Sequence, residues 1–311
     1  MTKMNAFYPE GRLVGTADNE YYLSTPERLE AAARRGLILE AVAAVCSKEH
    51  DLYVDLPFGR AVIPREEGAL GISEGTVRDI ALLSRVGKPV CFVPVSAGNR
   101  AVLSRRAAQM QCFESYISHL APGDVIDATV THLEQFGAFA DIGCGISSLI
   151  PIDAISVSRI AHPGDRFETG MNIRAVVTGR EGAGRICLSH KELLGTWEEN
   201  AARFTPGETV SGIIRSVESY GVFIELMPNL AGLAEPFEGA RPGMSASVFI
   251  KAIIPEKMKI KLIVVDVFDP PDKPKGIEYF TDAEHIERWD YSVKGAHKEI
   301  YTQFSPIGAR I

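Results

Sequence analysis

Two short segments carry the same residue types at the same spacing: Phe136-Gly137-Ala138-Phe139 and Tyr220-Gly221-Val222-Phe223, 84 residues apart. Each follows by thirteen to sixteen positions a glycine, Gly123 or Gly207, that opens a Val/Ile-rich run, which predicts two rings on one side of a hairpin strand. An isolated aromatic pair is more often core packing. Its duplication at identical spacing favours an exposed platform instead, and the chemistry open to such a platform is stacking on unpaired bases, worth roughly 1–3 kcal/mol per base. Cations accompany the rings. Arg185 and Lys259 each open a short strand, and Lys257, Lys259 and Lys261 alternate with Met258, Ile260 and Leu262, so that one strand face is basic and the other apolar. Arg215, on the strand before the second ring pair, completes the expected contact set of Phe136, Phe139, Arg185, Arg215, Tyr220, Phe223, Lys259 and Lys261.

Other chemistry finds no support. His132, His162 and His190 stand in separate segments without metal-ligand spacing, and each reads as a surface or hydrogen-bonded imidazole. The five cysteines are odd in number and far apart, which argues for reduced, buried thiols. Neither a phosphate-binding glycine loop nor a nucleophile elbow is present. Asp141 and Glu225 follow the ring pairs at equal spacing but fall in different predicted domains, so a turn or edge role is expected of them. The expectation is a binding protein that is not an enzyme and needs no cofactor or metal. A net charge of −7 disfavours wrapping of duplex DNA while leaving a narrow single-strand site open. The start lacks a signal pattern and no apolar run approaches the roughly 18 residues of a membrane span, so a cytoplasmic location without membrane contact is expected.

The elements that must position the rings are short strands. In the second repeat they run from Val125, through Val130 to Leu133, Phe136 to Ile142, Ser148 to Pro151, Ile173 to Thr178, and Arg185 to Ser189. Five such strands fit a small oligonucleotide/oligosaccharide-binding (OB) barrel. The whole chain reads as mainly β with connecting helices, built as three tandem five-stranded OB-fold barrels. The expected layout is an N-terminal segment with a helix (1–35), a degenerate barrel (36–103), a linker helix (104–119), a barrel (120–189), a linker helix (190–204), a shortened barrel (205–266), and a proline-rich linker with a helical tail (267–311). Thr25-Pro26, Ser104, Ser189-His190-Lys191-Glu192 and Thr281-Asp282-Ala283-Glu284 signal the four helix starts.

Gly123-Asp124-Val125-Ile126, Phe136-Gly137-Ala138-Phe139, Ser148-Leu149-Ile150-Pro151 and Gly184-Arg185-Ile186-Cys187-Leu188-Ser189 resemble, in order and spacing, the S-one RNA-binding domain. The bridge from Leu188 to Glu198 resembles the inter-domain segment of the bacterial small-subunit ribosomal protein S-one family. The resemblance covers about residues 25 to 266. It implies RNA contacts through two aromatics of the second strand, a His ending the third strand and a basic residue opening the fifth. The second repeat keeps Phe136, Phe139 and Arg185 with Pro151 at the His position, and the third keeps Tyr220, Phe223 and Lys259 with Glu235 there. The first repeat offers His50, Tyr53 and Arg100, and the resemblance implies protein contacts with the small ribosomal subunit for it. Single-stranded RNA, in particular mRNA, is the implied partner, and translation the implied process. A protein-interaction adaptor with little RNA affinity, or an accessory subunit delivering RNA to a processing complex, are the alternatives.

Overall fold

The computed structural model describes residues 7–97, 100–182, 184–269 and 276–304. The chain forms two compact units, one of residues 1–120 with 127–129 and 141–147, the other of the remainder. Helices α1 (Ala17–Leu23) and α2 (Pro26–Arg34) precede the first barrel, formed by β1 (Leu39–Cys46), β2 (Leu52–Leu56), β3 (Gly59–Ile63), β4 (Pro89–Ser96) and β5 (Val102–Ser104). A short α3 (Ile80–Leu83) lies between β3 and β4, and α4 (Arg105–Ser115) follows β5. The second barrel comprises β6 (Val125–Glu134), β7 (Gly137–Asp141), β8 (Ser147–Pro151), β9 (Asn172–Glu181) and β10 (Arg185–Ser189). After α5 (Trp197–Ala201) comes the third, from β11 (Thr209–Glu218), β12 (Gly221–Met227), β13 (Leu230–Ala234), β14 (Ser245–Ile254) and β15 (Lys259–Phe268). A hairpin of β16 (Arg288–Asp290) and β17 (Tyr301–Gln303) ends the described chain.

All three barrels close with the same cyclic strand order, first-second-third-fifth-fourth, in which the third and fifth strands are parallel. Closure removes the sheet edges that a five-stranded sheet would otherwise expose. Alternation does the sorting: in β15, Ile260, Leu262 and Val264 turn inward while Lys259, Lys261, Ile263 and Val265 remain exposed. The helix starts at Thr25 and Ser104 hold, each side chain accepting the N–H three residues on. The start at Ser189 does not. Ser189 closes β10 opposite Val176, its hydroxyl donates to Glu192, and the helix proper begins at Thr196, whose hydroxyl and the Glu199 carboxylate form the capping box. Sheet pairing here outcompetes the local cap signal.

The helix expected after Thr281 is also corrected. Trp289 lies in β16 and, with Tyr291, belongs to the same hydrophobic cluster as Trp197, Ile224, Leu230 and Ile260, the core of the third barrel. The Tyr291 hydroxyl donates to the Asn229 carbonyl at 2.7 Å. The third barrel therefore draws core side chains from beyond residue 266, and the proline run of residues 270–274 falls outside the described residues.

In the first unit Glu10 is buried against Arg105 (2.7 Å) and Arg85 (3.2 Å) and accepts the Cys91 N–H. Burial pushes its carboxyl up, but Arg105, that N–H and Arg85 together hold it below its ordinary value. Asp141 serves the turn expected of it, its Oδ1 accepting the Gly143 and Gly145 N–H groups. All five cysteines are free; Cys91, Cys112 and Cys144 are buried, Cys46 and Cys187 half-buried.

Candidate nucleic-acid interface

The two ring pairs take the same geometry. Phe136 and Phe139 meet edge to face, centroids 6.0 Å apart at 89°, and Tyr220 and Phe223 do so at 6.2 Å and 89°. In each pair the first ring, at the turn before the strand, stands in solvent, 57% exposed for Phe136 and 65% for Tyr220, while the second is half-buried on the barrel wall. None of these rings belongs to a barrel core. The intervening glycines are required by close approach: a Cβ on Gly137 would lie 2.4 Å from the Ile150 carbonyl oxygen, and one on Gly221 2.4 Å from that of Ala234. The strand carrying the rings thus presses against the third strand of its barrel, and a third apolar side chain joins each pair. Phe223 faces Leu233 across the β12–β13 ladder, and Leu149 abuts Gly137 in the second barrel. These leucines escaped the sequence reading, although Leu149 and Leu233 occupy equivalent places in their strands.

His132 also joins the second platform, its ring lying 6.3 Å from Phe139 at 27°, close to parallel, with Nε2 2.7 Å from Glu134. The equivalent place opposite Phe223 is Ser216. Arg185, Lys259 and Lys261 are exposed, and Lys261 lies opposite Leu233, the residue that in turn faces Phe223. Glu235 is exposed just beyond the end of β13.

Arg215 goes elsewhere. Its side chain is 10% exposed and donates to Glu225 through Nε (2.9 Å) and a terminal nitrogen (3.1 Å), with a further pair to Asp165 at 3.3 Å. Arg166 forks onto the same carboxylate with two bonds of 2.9 Å. Burial raises the Glu225 carboxyl, but Arg166 and then Arg215 outweigh it and hold it below its ordinary value. The geometry gives Arg215 and Glu225 to a buried ion cluster joining the β8–β9 loop to the third barrel, in place of the groove contact and the edge role expected of them. Asn229, fully buried, reinforces the same junction by accepting the Val157 N–H and donating to the Lys191 and Gly195 carbonyls. His190 is likewise buried, in contact with the Ile155 carbonyl and the Tyr279 hydroxyl, and burial pushes its pKa down to about 4. It is a neutral structural imidazole.

In the first barrel Tyr53 occupies the place of Phe223, opposite Val45 on one side and Val62 on the other, and Val62 faces Val102 where the third barrel has Lys261. His50 sits in the turn at φ +68°. His50 thus stands where the other barrels have Phe136 and Tyr220, so that no second phenyl or phenol ring accompanies Tyr53, and Arg100, exposed, is the cation at the start of the fifth strand. Among the described residues no cluster of His, Cys, Asp and Glu is arranged to hold a metal ion, and no helix is long and apolar enough to cross a membrane.

Residues 119–191, the barrel bearing Phe136 and Phe139, match the S1 RNA binding domain family. The second barrel is thus similar to the S1 RNA binding domain family. The chain is 27% identical over 241 residues to small ribosomal subunit protein bS1 of Leuconostoc lactis, covering 71% of this chain and 55% of that protein. To the bS1 homolog of Bacillus subtilis it is 28% identical over 213 residues, 66% of this chain and 55% of the relative. The chain thus spans about half the length of the curated relatives it matches. A multidomain protein with nucleic acid binding domains from Streptococcus pneumoniae aligns at 13% identity over 79% of this chain and 76% of its own, with a TM-score of 0.24.

Proposed function

We propose that this protein binds single-stranded RNA on the platforms of its second and third barrels and acts in translation, through mRNA and contacts with the small ribosomal subunit. The observation that carries the reading is the repeated edge-to-face ring pair, exposed in both barrels at matching distance and angle. Such rings gain little by facing water and much by stacking on a splayed base. Paired RNA offers no free base face, so unpaired strands are the preferred ligand. Phe136, Phe139 and Arg185 act in one barrel, and Tyr220, Phe223, Lys259 and Lys261 in the other. Two weak sites within one compact unit reinforce each other through effective concentration. The first barrel, with one phenol ring and valines where the third has a leucine and a lysine, serves as the docking unit toward ribosomal protein.

Affinity for a short unstructured RNA, measured beside thermal unfolding, tests the proposal. Phe136→Ala or Tyr220→Ala should weaken binding by roughly 1–3 kcal/mol without altering the melt. Equal affinity for a hairpin and for its unfolded counterpart would sink the stacking mechanism. Co-sedimentation with small ribosomal subunits tests the translational role.

A further inference from the structure

Each barrel carries a β-bulge at the same place, on its fourth strand opposite the start of its fifth. The register shifts between Pro94 and Ser96 opposite Leu103 and Val102, between Val177 and Gly179 opposite Leu188 and Cys187, and between Ile250 and Ala252 opposite Leu262 and Lys261. The extra residues are Val95, Thr178 and Lys251, all exposed. A bulge sets two residues of one strand against one of its partner and re-aims the extra side chain. Lys251 and Ala252 therefore both oppose Lys261, on the outer face. The third barrel thereby carries a continuous outer row, Phe223, Leu233, Lys261 and Lys251, crossing four hydrogen-bonded strands. With strands about 4.8 Å apart the row is about 14 Å long. The same positions in the first barrel read Tyr53, Val62, Val102 and Val95, without a charge. In the second the strand-paired positions are Leu149 and Cys187, with Thr178 at the bulge.

We propose that Lys251 is a phosphate-binding residue, and that the third barrel, through Lys251, Lys259 and Lys261, holds the sugar-phosphate backbone of the single strand whose bases lie on its platform. The inference rests on the RNA-binding reading above and extends the site from β15 onto β14. None of the three lysines is engaged in an ion pair among the described residues. The exposed carboxylates on adjoining elements are Glu208 just before β11, whose carbonyl accepts the Ile250 N–H, Glu218 at the end of β11, Glu235 after β13, Glu256 in the turn between β14 and β15, and Asp266 toward the far end of β15. The second barrel keeps one cation, Arg185, where the third has Lys259, but has Cys187 and Thr178 in place of Lys261 and Lys251, and contributes mainly stacking. Salt should therefore weaken binding at the third barrel and act far less at the second.

The test is the salt dependence of binding of a labelled oligouridylate of about 15 nucleotides, within the span an OB fold covers. Lys251→Ala should reduce the log-log slope of affinity against salt by about 0.7, one phosphate contact on a single strand, and Lys251→Arg should preserve it. Thr178→Lys should steepen the slope by a similar amount, and it decides the matter should Lys251→Ala fail to fold. Binding by the wild-type chain with a slope unchanged in Lys251→Ala, while Lys261→Ala lowers it, would overturn the role of Lys251 alone. Absence of oligouridylate binding by the wild-type chain would overturn the RNA reading together with it.

Discussion

Glu225→Ala removes the acceptor on which Arg166 and Arg215 converge. Four N–H groups lie 2.9, 2.9, 2.9 and 3.1 Å from its two oxygens, and the two guanidinium side chains are 8% and 10% exposed. Truncation leaves two positive charges facing one another with little water to take up the lost bonds. Arg215 keeps Asp165 at 3.3 Å, whereas Arg166 keeps, among the described residues, only the Ser156 hydroxyl at 3.2 Å as a side-chain partner. Breaking a buried pair of this kind costs about 3–5 kcal/mol, and replacing all its members by apolar residues of similar volume is often neutral or stabilising. The single variant should lose stability in that range. The triple variant Arg166→Met, Arg215→Met, Glu225→Leu should return to within about 1 kcal/mol of the parent. Urea unfolding followed by tryptophan fluorescence reads the relevant unit directly, because the chain's two tryptophans, Trp197 and Trp289, both lie in the third barrel's core. A loss below 1 kcal/mol for Glu225→Ala, or a triple variant as unstable as the single one, would show that the cluster is not what stabilises the junction.

His190 supplies a pH prediction. Its folded pKa of about 4 lies below the ordinary 6.5, so the unfolded chain takes up the proton first; the stabilisation is complete above pH 6.5 and is lost as pH falls through about 4. The loss amounts to about 3 kcal/mol, most of it below pH 6, and His190→Gln should flatten that limb in urea titrations run between pH 7 and 4. Ending the chain at residue 269 strips Trp289 and Tyr291 from the third core, which should cost about 3–6 kcal/mol at roughly 1.5–3 per large side chain; unchanged urea stability, followed through Trp197, would refute it. Gly137→Ala or Gly221→Ala forces a methyl to within 2.4 Å of a carbonyl oxygen on the neighbouring strand, and each should lower stability by about 1–3 kcal/mol and blunt RNA affinity, as a paired melt and binding titration would reveal.

Local pattern determined a good deal. The rings, the glycine between them and the alternation of Lys259, Ile260, Lys261 and Leu262 are set within a few residues, and period-two geometry carries them to the outer wall whatever the rest of the chain does. The helix starts at Thr25 and Ser104 are equally local, a hydroxyl three residues from the N–H it caps. What escaped depends on partners far away in sequence. Arg215 reads as a groove cation until Asp165, Arg166 and Glu225 are brought to it, and Ser189 reads as a cap until Val176 claims it for a strand. Trp289 looks like part of a helix face until the third barrel's core takes it in, and Lys251 looks like any surface lysine until a bulge sets it beside Lys261. A charge or a ring shows its chemistry in one dimension. Whether it spends that chemistry on the protein or on a ligand is decided by which neighbours desolvate it, and only the closed barrels and the segment packed against them fix those neighbours.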